Sequence, residues 1–180
     1  RLLALALVLL AVGRPELRWP GSPVQGEEAG PVVVILDNSL SMDLRSGRGE
    51  DTLFSEARSQ AVALVRDLPE GVRVAAVAIG GSAIGLTAEL SADRGTTAAA
   101  LERVRQGEGG TDLSGGLRAA RRMLGGKGGR IVVFSDEAGP VAVRGAEDEL
   151  KLLGEQGCAL ERHLLRASTV GNVTVMDARY

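Results

Sequence analysis

The feature that most constrains the fold is an alternation of short apolar runs with amphipathic helical patterns. The run Val32–Leu36 contains no polar residue, which is typical of a strand buried on both faces at the centre of a parallel sheet. In the next segment, Thr52–Leu68, apolar residues recur at helical spacing, and a second strand is predicted at Val72–Ile79. A strand–helix–strand order of this kind predicts an α/β domain.

The remaining elements extend the same pattern. Gly80-Gly81 predicts a tight turn into an antiparallel edge strand near Ile84–Leu90. Further helices are predicted at Thr96–Arg105, at Leu113–Leu124 and around Ala146–Leu153, and further strands at Ile131–Phe134 and Cys158–Leu165. We therefore predict a Rossmann-like, doubly wound, mostly parallel sheet with one antiparallel edge strand and strand order 3-2-1-4-5. The run Val173–Met176 predicts either a sixth strand or the start of a following β-rich domain.

The amino-terminal region differs from the rest of the chain. Leu2–Val12 is apolar throughout, but a membrane-spanning helix needs about 20 apolar residues. Because the chain begins with Arg1 rather than Met, we interpret residues 1–13 as the end of a transmembrane helix. A signal-like segment and a buried core helix are the alternatives. Proline and glycine predict a linker over 14–30, which leaves 31–168 for the α/β domain and 169–180 for the last strand or the next domain.

Several classes of protein are excluded by what the sequence lacks. The single cysteine, Cys158, cannot form an intrachain disulfide or a CxxC site, and a formal charge of −2 gives no general attraction to nucleic acid. Gly80–Ile84 lacks the final glycine of a nucleophile elbow, and no Ser or Thr follows Lys127 as a phosphate-binding loop requires. With His163 as the only histidine, we predict that the protein is not an enzyme; hydrolysis by metal-bound water is the alternative.

Three arginines, Arg118, Arg121 and Arg122, lie close together on the helix predicted over Leu113–Leu124. Cations are favoured near a helix C-terminus, where they interact with its dipole. We interpret them as a solvated helix face rather than as a surface for an acidic partner.

Oxygen-bearing side chains follow the first strand directly. Asp37, Ser39 and Ser41 place a carboxylate and two hydroxyls at spacings of two, where the apolar run gives way to a loop. Oxygen ligands in near-octahedral geometry are those that Mg²⁺ prefers. Asp136 follows the later strand at Ile131–Phe134, and in the predicted strand order both carboxylates face one crevice. Ordinary turn chemistry or helix capping is the simpler explanation for each residue taken alone.

The pattern Asp-x-Ser-x-Ser resembles the metal-ion-dependent adhesion site of von Willebrand factor type A domains. The segment Gly109–Leu113, which reads Gly-Gly-Thr-Asp-Leu, is similar to the loop that carries the family's metal-site threonine. The resemblance implies a site for Mg²⁺, with Mn²⁺ or Ca²⁺ as alternatives, and a protein partner that supplies an Asp or Glu carboxylate. The family commonly has Thr-Asp-Gly at the strand end, whereas this chain has Ser135-Asp136-Glu137. The implied metal-site residues are Asp37, Ser39, Ser41, Thr111 and Asp136.

A narrower resemblance is to the bacterial membrane-anchored aerotolerance regulator (Bat-type) proteins. It depends on the apolar segment ending in Gly13-Arg14-Pro15, the short linker, the Asp-Asn-Ser-x-Ser-Met motif, and Gly171–Val175, which resembles the start of their next domain. It implies a protein of the bacterial cytoplasmic membrane, anchored by the N-terminal helix, with the type A domain on the extracytoplasmic side. The implied function is metal-dependent protein binding in adhesion or assembly. The alternative is a chaperone-like adaptor of a MoxR-type AAA+ ATPase system.

Overall fold

The fold was analysed in a computed structural model, which describes residues 30–46, 51–137 and 145–167. Within these residues, five strands form one sheet in the order β3-β2-β1-β4-β5, and only β3 is antiparallel. The predicted strand order and the predicted α/β class are both confirmed. In chain order the elements are β1 (Val32–Asp37), a short 3-10 helix (Leu40–Asp43), α1 (Leu53–Asp67), β2 (Val74–Ile79), β3 (Ala83–Gly85), α2 (Arg94–Glu102), α3 (Leu113–Leu124), β4 (Arg130–Ser135), α4 (Glu147–Glu155) and β5 (Ala159–Leu164).

The sheet separates two apolar layers. On one face, Val34 and Leu36 of β1 pack with the apolar sides of α1 and α2. On the other face, Val33 and Ile35 pack with α3 and α4. Every residue of β1 is buried, as an uninterrupted apolar run requires when both faces of a strand are covered.

The helix ends follow from local capping. The backbone N–H of Ser55 donates to the Thr52 hydroxyl over 3.1 Å, so α1 begins where the sequence predicts. Gly125 ends α3 in the left-handed conformation, with φ 62°, which glycine adopts without a steric cost.

The antiparallel edge strand is shorter than predicted. It covers Ala83–Gly85 rather than Ile84–Leu90. The backbone N–H groups of Leu86 and Thr87 both point to the carbonyl of Ala76, at 2.8 and 3.4 Å. Two successive residues opposite one residue form a bulge, which ends regular pairing at this edge.

Helix α2 begins earlier and ends earlier than the predicted Thr96–Arg105. The carboxylate of Asp93 accepts a hydrogen bond from the backbone N–H of Thr96 over 3.1 Å, so the helix begins at Arg94. It ends at Glu102.

Arg118 and Arg122 of the arginine cluster on α3 are exposed, as the predicted solvated face requires. Two members of the cluster also form an ion pair, which the prediction did not include. The Nε groups of Arg118 and Arg121 donate to the two carboxylate oxygens of Glu149 on α4, over 2.9 and 3.0 Å. Glu149 is buried. The hydrogen bond from Arg118 is the main reason that the pKa of Glu149 is lowered.

Three predictions concern residues outside the described part of the chain. These are the membrane segment over 1–13, almost all of the linker over 14–30, and the last strand at Val173–Met176. Across 30–46, 51–137 and 145–167, the structure contains no helix with the length and apolar character needed to cross a membrane.

Candidate metal centre

The candidate site lies at the edge of the sheet where two neighbouring parallel strands end. Asp37 is the last residue of β1, and Asp136 directly follows the end of β4. The 3-10 helix after β1 carries Ser41, while Thr111 lies in the loop that leads into α3. Together with Ser39, these are the five residues that the sequence predicts, and contacts at hydrogen-bond distance connect all five side chains.

Hydroxyl groups form the middle of the site. The Ser39 and Ser41 oxygens lie 3.2 Å apart, and the Thr111 oxygen lies 3.0 Å from that of Ser39. The carboxylates flank them: Ser41 donates to Asp136 over 3.1 Å, and the Thr111 hydroxyl lies 3.2 Å from an oxygen of Asp37. The five side chains therefore form one continuous cluster of oxygen atoms.

These separations fit a small hard cation. Oxygens that lie about 2.1 Å from Mg²⁺ in octahedral geometry are about 3 Å from their neighbours. The Ser39–Ser41 and Ser39–Thr111 distances, 3.2 and 3.0 Å, match such neighbouring positions. Among the described residues, no group of three or more His, Cys, Asp or Glu side chains could hold a metal ion. The candidate site instead consists of three hydroxyls and two carboxylates.

The electrostatics of Asp37 also favour a cation. The residue is fully buried, and burial raises the pKa of its carboxyl group because a charged form loses hydration there. Hydrogen bonds from Ser135 and Ser39 act in the opposite direction, and the negative charge of Asp136 raises the pKa further. The hydrogen-bond partners of Asp37 in the described residues are hydroxyls and one backbone N–H, not a cationic side chain. A bound cation would favour its ionised form.

Ser135 is a structural part of the site to which the sequence assigned no role. Its hydroxyl donates to Asp37 over 2.5 Å and accepts a hydrogen bond from the backbone N–H of Glu137 over 2.9 Å. It therefore joins the end of β1 to the turn that carries Asp136. The available signal was the hydroxyl residue that the family commonly has at this position, threonine.

A second group of contacts joins the loop after β1 to the loop before α3, and sequence reasoning missed it as well. The Asn38 side chain donates to the carbonyl of Arg105 over 3.0 Å, and the Asn38 carbonyl accepts from the backbone N–H of Gly107 over 2.8 Å. Gln106 donates through its side chain to the carbonyl of Ser39. The two loops that supply Ser39 and Thr111 are thus fixed to each other by polar contacts between residues about 70 positions apart.

Glu137 occupies the position where the family commonly has glycine. Its φ of 48° lies in the left-handed region, where side chains other than glycine are uncommon. Its carboxylate lies 3.4 Å from Arg162 of β5. The departure from glycine therefore leaves the backbone of this turn in the conformation that glycine favours.

Comparison with known families agrees with the geometry of the fold. A family model described as von Willebrand factor type A domain matches residues 32–139. This chain belongs to the von Willebrand factor type A domain family. Comparison with the curated proteins finds no match.

Solved structures with the same fold include proteins of two Bacteroides species. BatB of Bacteroides thetaiotaomicron, a conserved hypothetical protein, is 20% identical with a TM-score of 0.59, over 74% of this chain and 65% of that one. An aerotolerance-related membrane protein of Bacteroides fragilis is 20% identical with a TM-score of 0.61, over 76% and 67%. The manganese-loaded TRAP protein of Plasmodium vivax is 14% identical with a TM-score of 0.58, over 75% and 56%. The chain thus spans about two thirds of the length of the Bacteroides proteins, and the likeness shows the fold.

Proposed function

We propose that this domain is a non-enzymatic protein-binding module that captures an acidic group of a partner protein through a divalent cation. The cation is Mg²⁺, with Mn²⁺ or Ca²⁺ as alternatives, and its ligands or water-holding groups are the five residues of the candidate site. The observation that carries the proposal is the convergence of three hydroxyls and two carboxylates at one sheet edge. These residues are Asp37, Ser39, Ser41, Thr111 and Asp136.

The chemistry of the donor set supports binding of a carboxylate. Ser39, Ser41 and Thr111 offer neutral oxygens, while Asp37 and Asp136 accept hydrogen bonds from the hydroxyls around them. A cation held largely by neutral oxygens keeps positive charge, which attracts an anionic group. An Asp or Glu side chain of the partner is the anion that completes such a site.

The surroundings favour binding over catalysis. Acid–base catalysis needs a titratable group within hydrogen-bond reach of the reacting atoms, and histidine serves most often. The only histidine in the chain, His163, lies on β5, where its ring stacks on Phe134 at 4.5 Å and contacts Glu161 at 2.8 Å. None of the hydrogen bonds that connect the five site residues involves His163.

We further propose that the domain is anchored in the bacterial cytoplasmic membrane and lies on the extracytoplasmic side. Residues 1–13 would form the end of a transmembrane helix, 14–30 the linker, 31–168 the type A domain, and 169–180 a sixth strand or the start of a β-rich domain. The apolar run at the start of the chain supports this arrangement. So does the fold similarity to an aerotolerance-related membrane protein. A reporter fused after Tyr180 tests the topology: activity outside the membrane is expected, whereas activity in the cytoplasm favours an adaptor of a MoxR-type AAA+ ATPase.

Calorimetric titration of Mg²⁺ and Mn²⁺ into the 180-residue chain in detergent tests the metal site. Saturable binding is expected in the wild type and is lost in Asp37→Ala and in Thr111→Val, which removes one hydroxyl at nearly constant volume. Asp43→Ala is the matched control, because Asp43 is exposed and lies just beyond the motif. Equal binding by the wild type and a folded Thr111→Val variant would contradict the proposal.

A further inference from the structure

We propose that the partner segment carries an aliphatic side chain beside its carboxylate, and that this side chain packs on Leu40. The inference rests on the proposed function, because it concerns the same site. It concerns the surface around the cluster of oxygens rather than the oxygens themselves.

Leu40 is held in an exposed position at the rim of the site. It lies between Ser39 and Ser41 in the chain, and 59% of its surface is exposed. Its backbone N–H donates to the carbonyl of Gly109 over 2.9 Å. Met42, in the same 3-10 helix, is fully buried. Because these two contacts fix the turn on either side, the Leu40 side chain points away from the core.

The loop that hydrogen-bonds to Leu40 carries two glycines, Gly109 and Gly110. Gly109 packs against Gly81 so closely that a Cβ atom on Gly109 would lie 2.6 Å from the Cα of Gly81. At Gly110, which is exposed, a Cβ atom would meet no atom within 4 Å. The chain continues from Gly81 into β3, where Ile84 is 60% exposed. A partner segment at this rim therefore meets glycine at Gly109 and Gly110 beside the exposed aliphatic side chain of Leu40.

The position of Leu40 determines what lies against it in a complex. A carboxylate that reaches the hydroxyls of Ser39 and Ser41 brings the neighbouring residues of its own chain over Leu40. A polar neighbour gains no hydrogen bond from the Leu40 side chain, whereas an aliphatic neighbour buries apolar surface with it. The partner of best fit is thus an Asp or Glu flanked by Leu, Ile or Val.

Immobilised peptides with one central Glu test this inference. The residues on both sides of the Glu are Leu in one peptide, Ser in a second and Lys in a third, and retention of the 180-residue chain is measured in Mg²⁺ and in EDTA. We expect Mg²⁺-dependent retention of the Leu-flanked peptide to be about tenfold stronger than that of the Ser-flanked one, as burial of one aliphatic side chain allows. Equal retention of these two peptides, or none of either, overturns the inference.

Leu40→Ser is expected to lower retention of the Leu-flanked peptide to the level of the Ser-flanked peptide, whose own retention stays the same. Leu152→Ser is the matched control, because Leu152 is also exposed, at 39%, but lies on α4. Equal loss of both peptides in Leu40→Ser would show that Leu40 acts on the site itself and would refute the inference. The proposed function fails separately, if calorimetry finds no Mg²⁺ or Mn²⁺ binding by the wild type.

Discussion

Replacing Ser135 by alanine is the sharpest test of how the site is held together, because it removes no residue of the five. The Ser135 hydroxyl makes two hydrogen bonds, to the buried Asp37 carboxylate at 2.5 Å and from the Glu137 N–H at 2.9 Å. A hydrogen bond to a charged group contributes about 1.5–3 kcal/mol and a neutral one about 0.5–1.5 kcal/mol. We therefore expect Ser135→Ala to lower the free energy of unfolding by about 2–4 kcal/mol, measured by urea denaturation in EDTA.

The same substitution is expected to weaken metal binding. Groups that orient metal ligands without touching the metal typically change affinity by about 10- to 100-fold when removed. Calorimetry with Mn²⁺ on the Ser135→Ala variant should show a loss in this range. Ser135→Thr is the control, since it keeps the hydroxyl and restores the residue common in the family. Unchanged stability and unchanged Mn²⁺ affinity in Ser135→Ala would refute the idea that this hydroxyl positions Asp37.

Two further predictions concern packing and charge. Gly116→Ala in α3 is expected to destabilise the fold by about 1–3 kcal/mol through overpacking, because its Cβ would lie 2.4 Å from the Ile79 side chain. In α4, a Cβ atom at Gly154 would meet no atom within 4 Å, so Gly154→Ala should instead stabilise the fold by about 0.5–1 kcal/mol. Urea denaturation should therefore give changes of opposite sign in the free energy of unfolding for these two glycine-to-alanine substitutions. Glu149→Gln is expected to be destabilising at pH 7. Because the pKa of Glu149 is lowered from its ordinary value of 4.5, its contribution is present above that pH and is lost as the pH falls through the folded-state pKa. The difference from the wild type in thermal unfolding should therefore shrink in acid, and a constant difference would argue against the ion pair.

The parts of the fold that depend on local pattern could be predicted from the sequence. Val32–Leu36 was predicted to be a central strand because it contains no polar residue, and the strand order was the usual one for a doubly wound sheet. The convergence of Asp37 and Asp136 then followed from topology, since neighbouring parallel strands end at the same edge of a sheet. Thr111 was placed only by resemblance to the family, because its loop has no pattern of its own that indicates a metal site.

Contacts between distant residues could not be predicted in this way. The link between Asn38 and the Arg105 carbonyl joins residues 67 positions apart, and the pairing of Arg118 with Glu149 joins two helices. Neither leaves a periodic signal in the sequence. The early end of β3 depends on a bulge at Ala76 that alternation of apolar residues does not reveal. Sequence pattern thus predicts which elements meet, while side-chain hydrogen bonding decides how they are fixed.

Glu137 shows that such hydrogen bonds can hold the backbone in a conformation that residues other than glycine rarely adopt. A residue other than glycine in the left-handed region carries a cost of about 1–2 kcal/mol. The turn nevertheless keeps φ 48°, because in this conformation its N–H reaches Ser135, while Asp136 accepts from Ser41. The Glu137 carboxylate, only 17% exposed, faces Arg162, which offsets part of the cost of the strained backbone. A departure from the family's motif has therefore changed a side chain beside the site, while the backbone that presents Asp136 remains determined by the contacts on either side of it.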